Sequence, residues 1–70
     1  MKEINGKRIA NNIRAERNRA NLTQEETAAE LPNVTLRTYV SYEEDAKRIK
    51  ATTLYMLSKI FDCKIESFYL

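Results

Sequence analysis

The side chains of this chain that can take part in chemistry are hydrogen-bond donors and cations rather than catalytic groups. Its 70 residues include 12 lysines and arginines but no histidine, and Cys63 is the single cysteine. A Cys/His catalytic pair and a zinc finger both need residues that are missing here, although ten acidic residues leave carboxylate chemistry open. The apolar neighbours of Cys63 favour a buried structural thiol. We therefore expect no enzyme activity, no metal and no other cofactor, and a binding surface instead.

Four residues between positions 36 and 41 combine a cation, a hydroxyl and two apolar side chains. The planar guanidinium of Arg37 fits the O6 and N7 acceptors of guanine, and Leu36 or Val40 can pack on a thymine methyl group. Ser41 can donate or accept a hydrogen bond, so it suits several bases. If these side chains share an outward helix face, the two apolar ones indicate contact with a partner. Leu36, Arg37, Val40 and Ser41 are therefore predicted to contact DNA bases.

The helix before this face has clear start and stop signals. Thr23 is a suitable N-cap, and Glu26 three residues later completes a capping box. Ala28 and Leu31 are expected to face inward. Pro32 disfavours helical geometry at Leu31, so the helix is expected to end there.

The helix that carries the face should follow a tight turn. Asn33 is expected in the turn, and Thr35 is expected to cap a helix from Leu36 to about Glu43. Tyr39 and Tyr42, three residues apart, should point into the core. The free N–H groups at the starts of both short helices are suited to binding phosphate.

The rest of the chain should form supporting helices. The first runs from about Gly6 or Lys7 to Ala20, where Asn21 tolerates a left-handed stop. Another runs from Ala51 or Thr52 to about Phe61, after a charged loop over 44–50, and one or two helical turns cover 65–70. The apolar periodicity places these residues in the core: Ile9, Ala10, Ile13, Ala20, Leu54, Leu57, Ile60, Phe61, Ile65 and Phe68.

Composition supports an all-α chain that forms one domain over residues 1–70. One glycine and one proline argue against an all-β fold. The net charge is only +2, but acidic and basic residues are clustered, which allows separate acidic and basic faces. No apolar run approaches the roughly 20 residues that span a bilayer, and the first residues lack the apolar part of a secretory signal. We expect a cytoplasmic protein without membrane contact.

The motifs named above resemble those of the phage repressor and Cro helix-turn-helix family, also called lambda-repressor-like or xenobiotic-response-element-type. The resemblance covers about Ile9 to Tyr69. It is carried by Leu22-Thr-Gln-Glu-Glu, Ala28, Leu31, Val34-Thr35, Thr38 and Tyr42-Glu43, followed by Leu54, Leu57, Cys63 and Phe68. The chain departs from the family pattern at Pro32-Asn33 (one residue longer, without the usual glycine), Thr27 (usually aliphatic), Tyr39 (usually Ile), Asp45 and Asp62 (often Gly).

The resemblance implies a compact domain of four to five helices whose third helix enters the major groove. Dimers of such proteins read two half-sites about 34 Å apart. The resemblance thus implies a dimeric repressor on a double-stranded operator, with no small-molecule substrate. Leu36, Arg37 and Ser41 match base-contacting positions, whereas Gln24 and Thr35 match phosphate-contacting ones.

Three further residues are assigned around this unit. Arg17 and Glu43 match a pair that often forms a salt bridge between the first and third helices, which would also hold Arg17 near a phosphate. A purely structural pair remains equally open. Arg48, within the basic run 47–50, is expected to contact phosphate.

A protein-interaction module of the same fold is the alternative hypothesis. An antitoxin or accessory factor would bury Leu36, Val40 and the segment Phe68-Tyr69-Leu70 against another protein. Binding through phosphates weakens steeply as salt rises, whereas an apolar interface does not, so a salt titration separates the two hypotheses.

Overall fold

Four α-helices and one 3-10 helix make up the part of the chain that the computed structural model describes, residues 5–70. α1 spans Gly6–Arg19, α2 Gln24–Glu30, α3 Leu36–Glu44 and α4 Ala51–Ile60, and a 3-10 helix follows at Ile65–Tyr69. No β-strand occurs between residues 5 and 70. The predicted all-α class and helix number are confirmed. None of the described helices is long and apolar enough to cross a membrane.

Side-chain caps begin three of the four α-helices. The Asn5 side chain accepts a hydrogen bond from the first turn of α1. Thr23 accepts from the N–H of Glu26 at 3.0 Å, and the Glu26 carboxylate accepts from the N–H of Thr23 at 2.8 Å. Thr35 caps α3 by accepting a hydrogen bond from the N–H of Thr38, without a reciprocal bond. These bonds satisfy N–H groups that have no partner within the helix, and the predicted capping box and Thr35 cap are confirmed.

Three residues between positions 5 and 70 adopt a left-handed backbone where helices end. Asn21 has φ of 62°, Asn33 of 59° and Asp62 of 53°. Asn and Asp tolerate this region better than other non-glycine residues, so the turn between α2 and α3 forms without glycine. Leu31 is extended, with ψ of 128°, as the following Pro32 requires. The predicted stop at Asn21 is confirmed.

The core forms where side chains of all five helices meet. Phe61 and Phe68 pack edge to face, with ring centroids 6.4 Å apart. Most of the predicted core is confirmed, and Tyr39 is fully buried. Buried apolar residues are Ile9, Ala10, Ile13, Ala28, Leu31, Tyr39, Ala46, Leu54, Leu57, Phe61 and Phe68. Five residues expected to be buried are instead half-buried at the core margin: Ala20, Tyr42, Ile60, Cys63 and Ile65.

The C-terminal segment corrects one part of the interaction hypothesis. Phe68 is fully buried, so it cannot contact a partner, whereas Tyr69 and Leu70 are 53% and 78% exposed. The Asn12 side chain on α1 donates hydrogen bonds of 3.0 Å to the carbonyls of Phe68 and Leu70. The segment is therefore held on α1 by its backbone while its last two side chains face outward.

The loop after α3 packs tightly on the start of α1. The N–H of Ala46 donates to the Gly6 carbonyl at 3.0 Å. A Cβ atom on Gly6 would lie 2.0 Å from Asp45 Oδ1 and 2.6 Å from the backbone nitrogen of Lys47. Glycine at position 6 therefore permits this close approach. α3 itself includes Glu44, which was expected in the loop.

Candidate nucleic-acid interface

One face of α3 presents side chains that the fold does not use for packing. Arg37 and Ser41 are exposed and lie four residues apart, which places them in one row along the helix. Leu36 beside them is 41% exposed. Val40 is half-buried, so it contributes only partly to this face. The row offers a cationic fork, an apolar surface and a hydroxyl oxygen, whose hydrogen is donated to the Thr38 carbonyl at 2.6 Å.

The start of α3 offers N–H groups rather than a free hydroxyl. Thr35 Oγ1 accepts from the N–H of Thr38 and donates to Thr38 Oγ1, both at 3.1 Å. Because the hydroxyl hydrogen is used within the cap, it is not available to an anion. The N–H groups of Leu36 and Arg37 belong to the first turn, where a helix provides no acceptors. They form a suitable contact for phosphate.

The opposite face of α3 is buried and centred on a carboxylate. Tyr39 and Glu43 are 0% and 2% exposed. Arg17 on α1 donates to both oxygens of Glu43, from Nε at 2.6 Å and from Nη2 at 3.2 Å. Gln24 on α2 donates from Nε2 at 3.1 Å, and the Tyr39 hydroxyl donates from within α3. Three helices therefore meet at one carboxylate that accepts four hydrogen bonds.

The backbone of Glu43 is held as well. Arg14, one turn before Arg17 on α1, donates from Nη2 to the Glu43 carbonyl at 2.7 Å. Carbonyls in the last turn of a helix lack intrahelical partners, and a cation there is favoured by the helix dipole. Arg14 thus helps to cap the C-terminal end of α3. Arg14, Arg17, Gln24, Tyr39 and Glu43 are called the Glu43 network below.

The charge states within the Glu43 network follow from these contacts. Burial by itself would raise the pKa of Glu43, but the hydrogen bonds from Arg17, Tyr39 and Gln24 hold it below the usual value. The hydrogen bond to Glu43 raises the pKa of Arg17. Burial, followed by the bond to Glu43, raises the pKa of Tyr39, so its phenol stays protonated and acts as a donor. The network consists of an ion pair braced by a neutral hydroxyl.

Two short helices joined by a tight turn, with one face of the second left exposed, form the geometry of a helix-turn-helix. A family model described as Helix-turn-helix matches residues 13–68. The chain belongs to the Cro/C1-type helix-turn-helix family. Searches of curated proteins and of solved structures give no match. The family assignment makes the chain a DNA-binding regulator of transcription.

Within the helix-turn-helix, Gln24 and Arg17 are partly committed to internal bonds. Gln24 gives one amide hydrogen to Glu43 and keeps a second hydrogen and an oxygen available. Arg17 gives three of the five N–H groups of an arginine to Glu43 and to the Leu22 carbonyl. Its side chain is 13% exposed. The geometry favours a bracing role for Arg17 over a phosphate contact.

Arg48 lies in the loop between α3 and α4. It is exposed, together with Lys47 and Lys50, while Ala46 anchors the loop in the core with 1% exposure. The loop is therefore a basic, solvent-facing segment on a fixed base. The exposed acidic residues of α2, by contrast, lie in a different segment, within the helix-turn-helix.

Sequence reasoning missed two contributors to the site. It treated Tyr39 as an apolar core residue and did not assign its hydroxyl, although Tyr39 and Glu43 are four residues apart and so share a helix face. It also gave no role to Arg14. Nothing local indicates that role, because the carbonyl that Arg14 contacts lies 29 positions further along the chain.

Proposed function

We propose that this chain is a sequence-specific repressor that binds double-stranded DNA as a homodimer, with α3 of each subunit in the major groove. The single observation that carries the proposal is the division of α3 into two faces. Arg37, Ser41 and Leu36 are exposed, while Tyr39 and Glu43 on the other side fix the helix to the domain. A rigid helix with an unused polar face is suited to direct readout of base edges.

Each exposed residue of α3 has a distinct role in this proposal. Arg37 donates two hydrogen bonds to a guanine, and Leu36 packs on a thymine methyl group. Ser41 accepts a hydrogen bond from a base further along the groove, because its hydroxyl hydrogen is donated to the Thr38 carbonyl. Val40 adds apolar contact at the edge of the face.

Backbone contacts position the protein without selecting a sequence. Gln24 reaches a phosphate with its second amide hydrogen, and the start of α3 at Thr35 binds another phosphate through its N–H groups. Arg48 provides a cation from the loop after α3. Arg17 supports these contacts mainly by holding Glu43, to which Gln24 also donates. It keeps two N–H groups for a direct contact with phosphate.

The dimer surface is proposed to include the C-terminal segment, with the loop after α3 as the second candidate. Tyr69 and Leu70 expose apolar surface on a backbone that Asn12 holds in place. Pairing two copies through a fixed apolar end would give a defined spacing between the α3 helices. A dimer bound across a promoter would repress by occupying it.

Selection of bound duplexes from random double-stranded DNA tests the proposal. We expect two related half-sites in inverted orientation, with centres about 34 Å apart, and a dimer on DNA by sedimentation. Recovery of no preferred sequence would contradict specific binding. A monomer both at high protein concentration and on the selected duplex would contradict the paired half-sites.

The exposed apolar residues support a second candidate, a protein-interaction module. Leu36, Tyr69 and Leu70 provide its surface, without the buried Phe68. Binding of such a partner would change little with salt, whereas DNA binding through several phosphates falls steeply. A flat salt titration together with a failed duplex selection would favour this candidate over the repressor.

A further inference from the structure

We propose that Tyr39 is a positioning residue for DNA readout: its buried hydroxyl sets the rotation of α3, and thereby sequence discrimination, without touching DNA. The inference rests on the proposed function and assigns a role to a side chain that the base-contacting face does not include. Tyr39 is fully buried and donates its hydroxyl hydrogen to Glu43 Oε2, the same oxygen that receives Arg17 Nε.

The exposed and buried faces of α3 belong to one helix, so a rotation of the helix moves both faces. Arg37 and Ser41 each precede a buried residue, Tyr39 and Glu43, by two positions, which places the pairs on opposite sides of the helix. At an outer radius of about 5–6 Å, a rotation of about 10° moves a side-chain group by about 1 Å. A shift of that size breaks the distances that a two-bond contact to guanine requires. Small changes in the buried row therefore alter readout by the exposed row.

The carboxylate of Glu43 defines this rotation only if it is itself fixed on α3. Arg17 and Gln24 approach Glu43 from α1 and α2, at the ends of long side chains. The Tyr39 hydroxyl comes from a ring that is itself enclosed in the core, so it fixes the carboxylate relative to the α3 backbone. Arg14 fixes the same residue at its carbonyl. Together these bonds give α3 one orientation on α1.

Orientation, rather than stability, is the reason for a polar network here. Removing a carboxylate and a guanidinium from water costs much of what their attraction returns, and apolar replacements of similar volume are often equally stable. Hydrogen bonds are directional, so a buried polar contact favours particular geometries. The Tyr39 hydroxyl in place of an aliphatic side chain is thus suited to specifying the pose of α3.

The test compares Tyr39→Phe with Tyr42→Phe. Each variant loses one hydroxyl from α3, but the Tyr42 hydroxyl makes no hydrogen bond to any residue from 5 to 70. Affinities are measured for the duplex recovered by selection and for a scrambled duplex, at a temperature where both variants are fully folded. The salt dependence of binding to the scrambled duplex reports whether phosphate contacts are intact.

We expect Tyr39→Phe to lower the ratio of specific to non-specific affinity by about threefold or more. Its affinity for the scrambled duplex and its salt dependence should match those of the parent protein. Tyr42→Phe should keep the parent ratio. An unchanged ratio in Tyr39→Phe, or equal losses on both duplexes, would overturn the inference, because a purely structural hydroxyl predicts that result.

The result also separates this inference from the proposed function. A parent protein with no preference for any duplex overturns both. A parent protein that discriminates, together with a Tyr39→Phe variant that discriminates equally well, overturns only the positioning role.

A second variant provides a test of the inference if Tyr39→Phe does not fold. The combined substitution Arg17→Met, Tyr39→Phe and Glu43→Leu replaces the ion pair and hydroxyl by apolar groups, which buried sites often accept. We expect this variant to fold and to bind both duplexes with similar affinity. A folded triple variant that discriminates as the parent does would refute the positioning role.

Discussion

At the scale of single residues, α3 separates exposed side chains from those that attach it to the domain. Arg37 has no hydrogen bond to another described residue and is exposed, so its guanidinium remains available to a base. Glu43 is the reverse case, since both of its oxygens are occupied and its side chain is 3% exposed. Arg37 and Glu43, six positions apart on one short helix, thus have opposite roles.

Replacing Arg37 by Ala should weaken binding to the selected duplex by about 1–3 kcal/mol and relax preference at one base pair. The reason is loss of a two-bond contact to guanine. Lys64→Ala is the control, because it removes one charge from an exposed site outside the helix-turn-helix. Equal binding by Arg37→Ala and the parent would show that the assigned reading face is wrong. Affinity titration on duplexes with single base-pair changes makes the measurement.

Glu43 should make stability depend on pH in the acid range. Its pKa is below the usual value when the protein is folded, so its contribution is complete above the unfolded pKa of about 4.3. The contribution is lost as pH falls through the lower, folded pKa. Glu43→Gln should lower the free energy of unfolding by about 3 kcal/mol at pH 7. It should also flatten the acid limb, the part of the pH profile in which stability falls as pH decreases.

Denaturant unfolding between pH 7 and pH 2 measures the effect of Glu43. Glu44→Gln, at the exposed neighbouring position, is the matched control and should leave the limb in place. An acid limb that persists in Glu43→Gln would mean that other carboxylates cause it.

At the scale of elements, α3 is capped at its start and bound to α1 at its end. Thr35 caps its start, and Arg14 binds a carbonyl of its last turn. The loop that follows is fixed against α1 through the Ala46–Gly6 bond. The end of the helix-turn-helix and the start of the basic loop are therefore both held against α1.

Gly6→Ala tests this attachment. Alanine is the better helix former by about 1 kcal/mol, yet its Cβ would lie 2.6 Å from the backbone nitrogen of Lys47. Overpacking of this kind costs about 1–3 kcal/mol. Because backbone cannot move aside as a side chain can, we expect a net loss of stability.

The control for Gly6→Ala is Asn11→Ala at an exposed site in the middle of α1, which should gain a few tenths of a kcal/mol. Thermal unfolding compares the two variants. A Gly6→Ala variant at least as stable as the parent would mean that the loop moves away from α1 at little cost.

At the scale of the whole molecule, the small net charge conceals an uneven distribution of charge over the surface. The chain carries only +2, but Lys47, Arg48 and Lys50 are exposed together in one loop, whereas α2 exposes Glu25 and Glu30. The electrostatic attraction to DNA therefore depends on where the cations lie rather than on their sum.

Arg48→Ala should weaken binding to specific and scrambled duplexes alike. Each lost phosphate contact lowers the slope of log K against log salt by about 0.9, so a dimer should show a change of about 2 and a monomer about 1. Lys64→Ala should leave the slope unchanged. A sequence-dependent loss would instead place Arg48 at a base, and an unchanged slope would exclude it from the interface.

Local signals in the sequence determined where the helices of this protein begin and end. The caps at Thr23 and Thr35, the stop at Asn21 and the break at Pro32 each depend on residues within about four positions, where backbone hydrogen bonds and side-chain sterics act directly. Apolar spacing identified most of the core for the same reason. The exposed row of α3 followed from helical periodicity once those limits were known.

Tertiary structure decided how that row is held, apart from the Arg17–Glu43 pair that the family resemblance implied and the structure contains. The contacts of Glu43 with Arg17, Gln24 and Arg14 join positions 19 to 29 residues apart, and the packing of three helices brings them together. Burial of Glu43, the donor role of Tyr39 and the requirement for glycine at position 6 all arise from that packing. Such long-range contacts depend on the shape of the folded domain, which local sequence patterns do not encode.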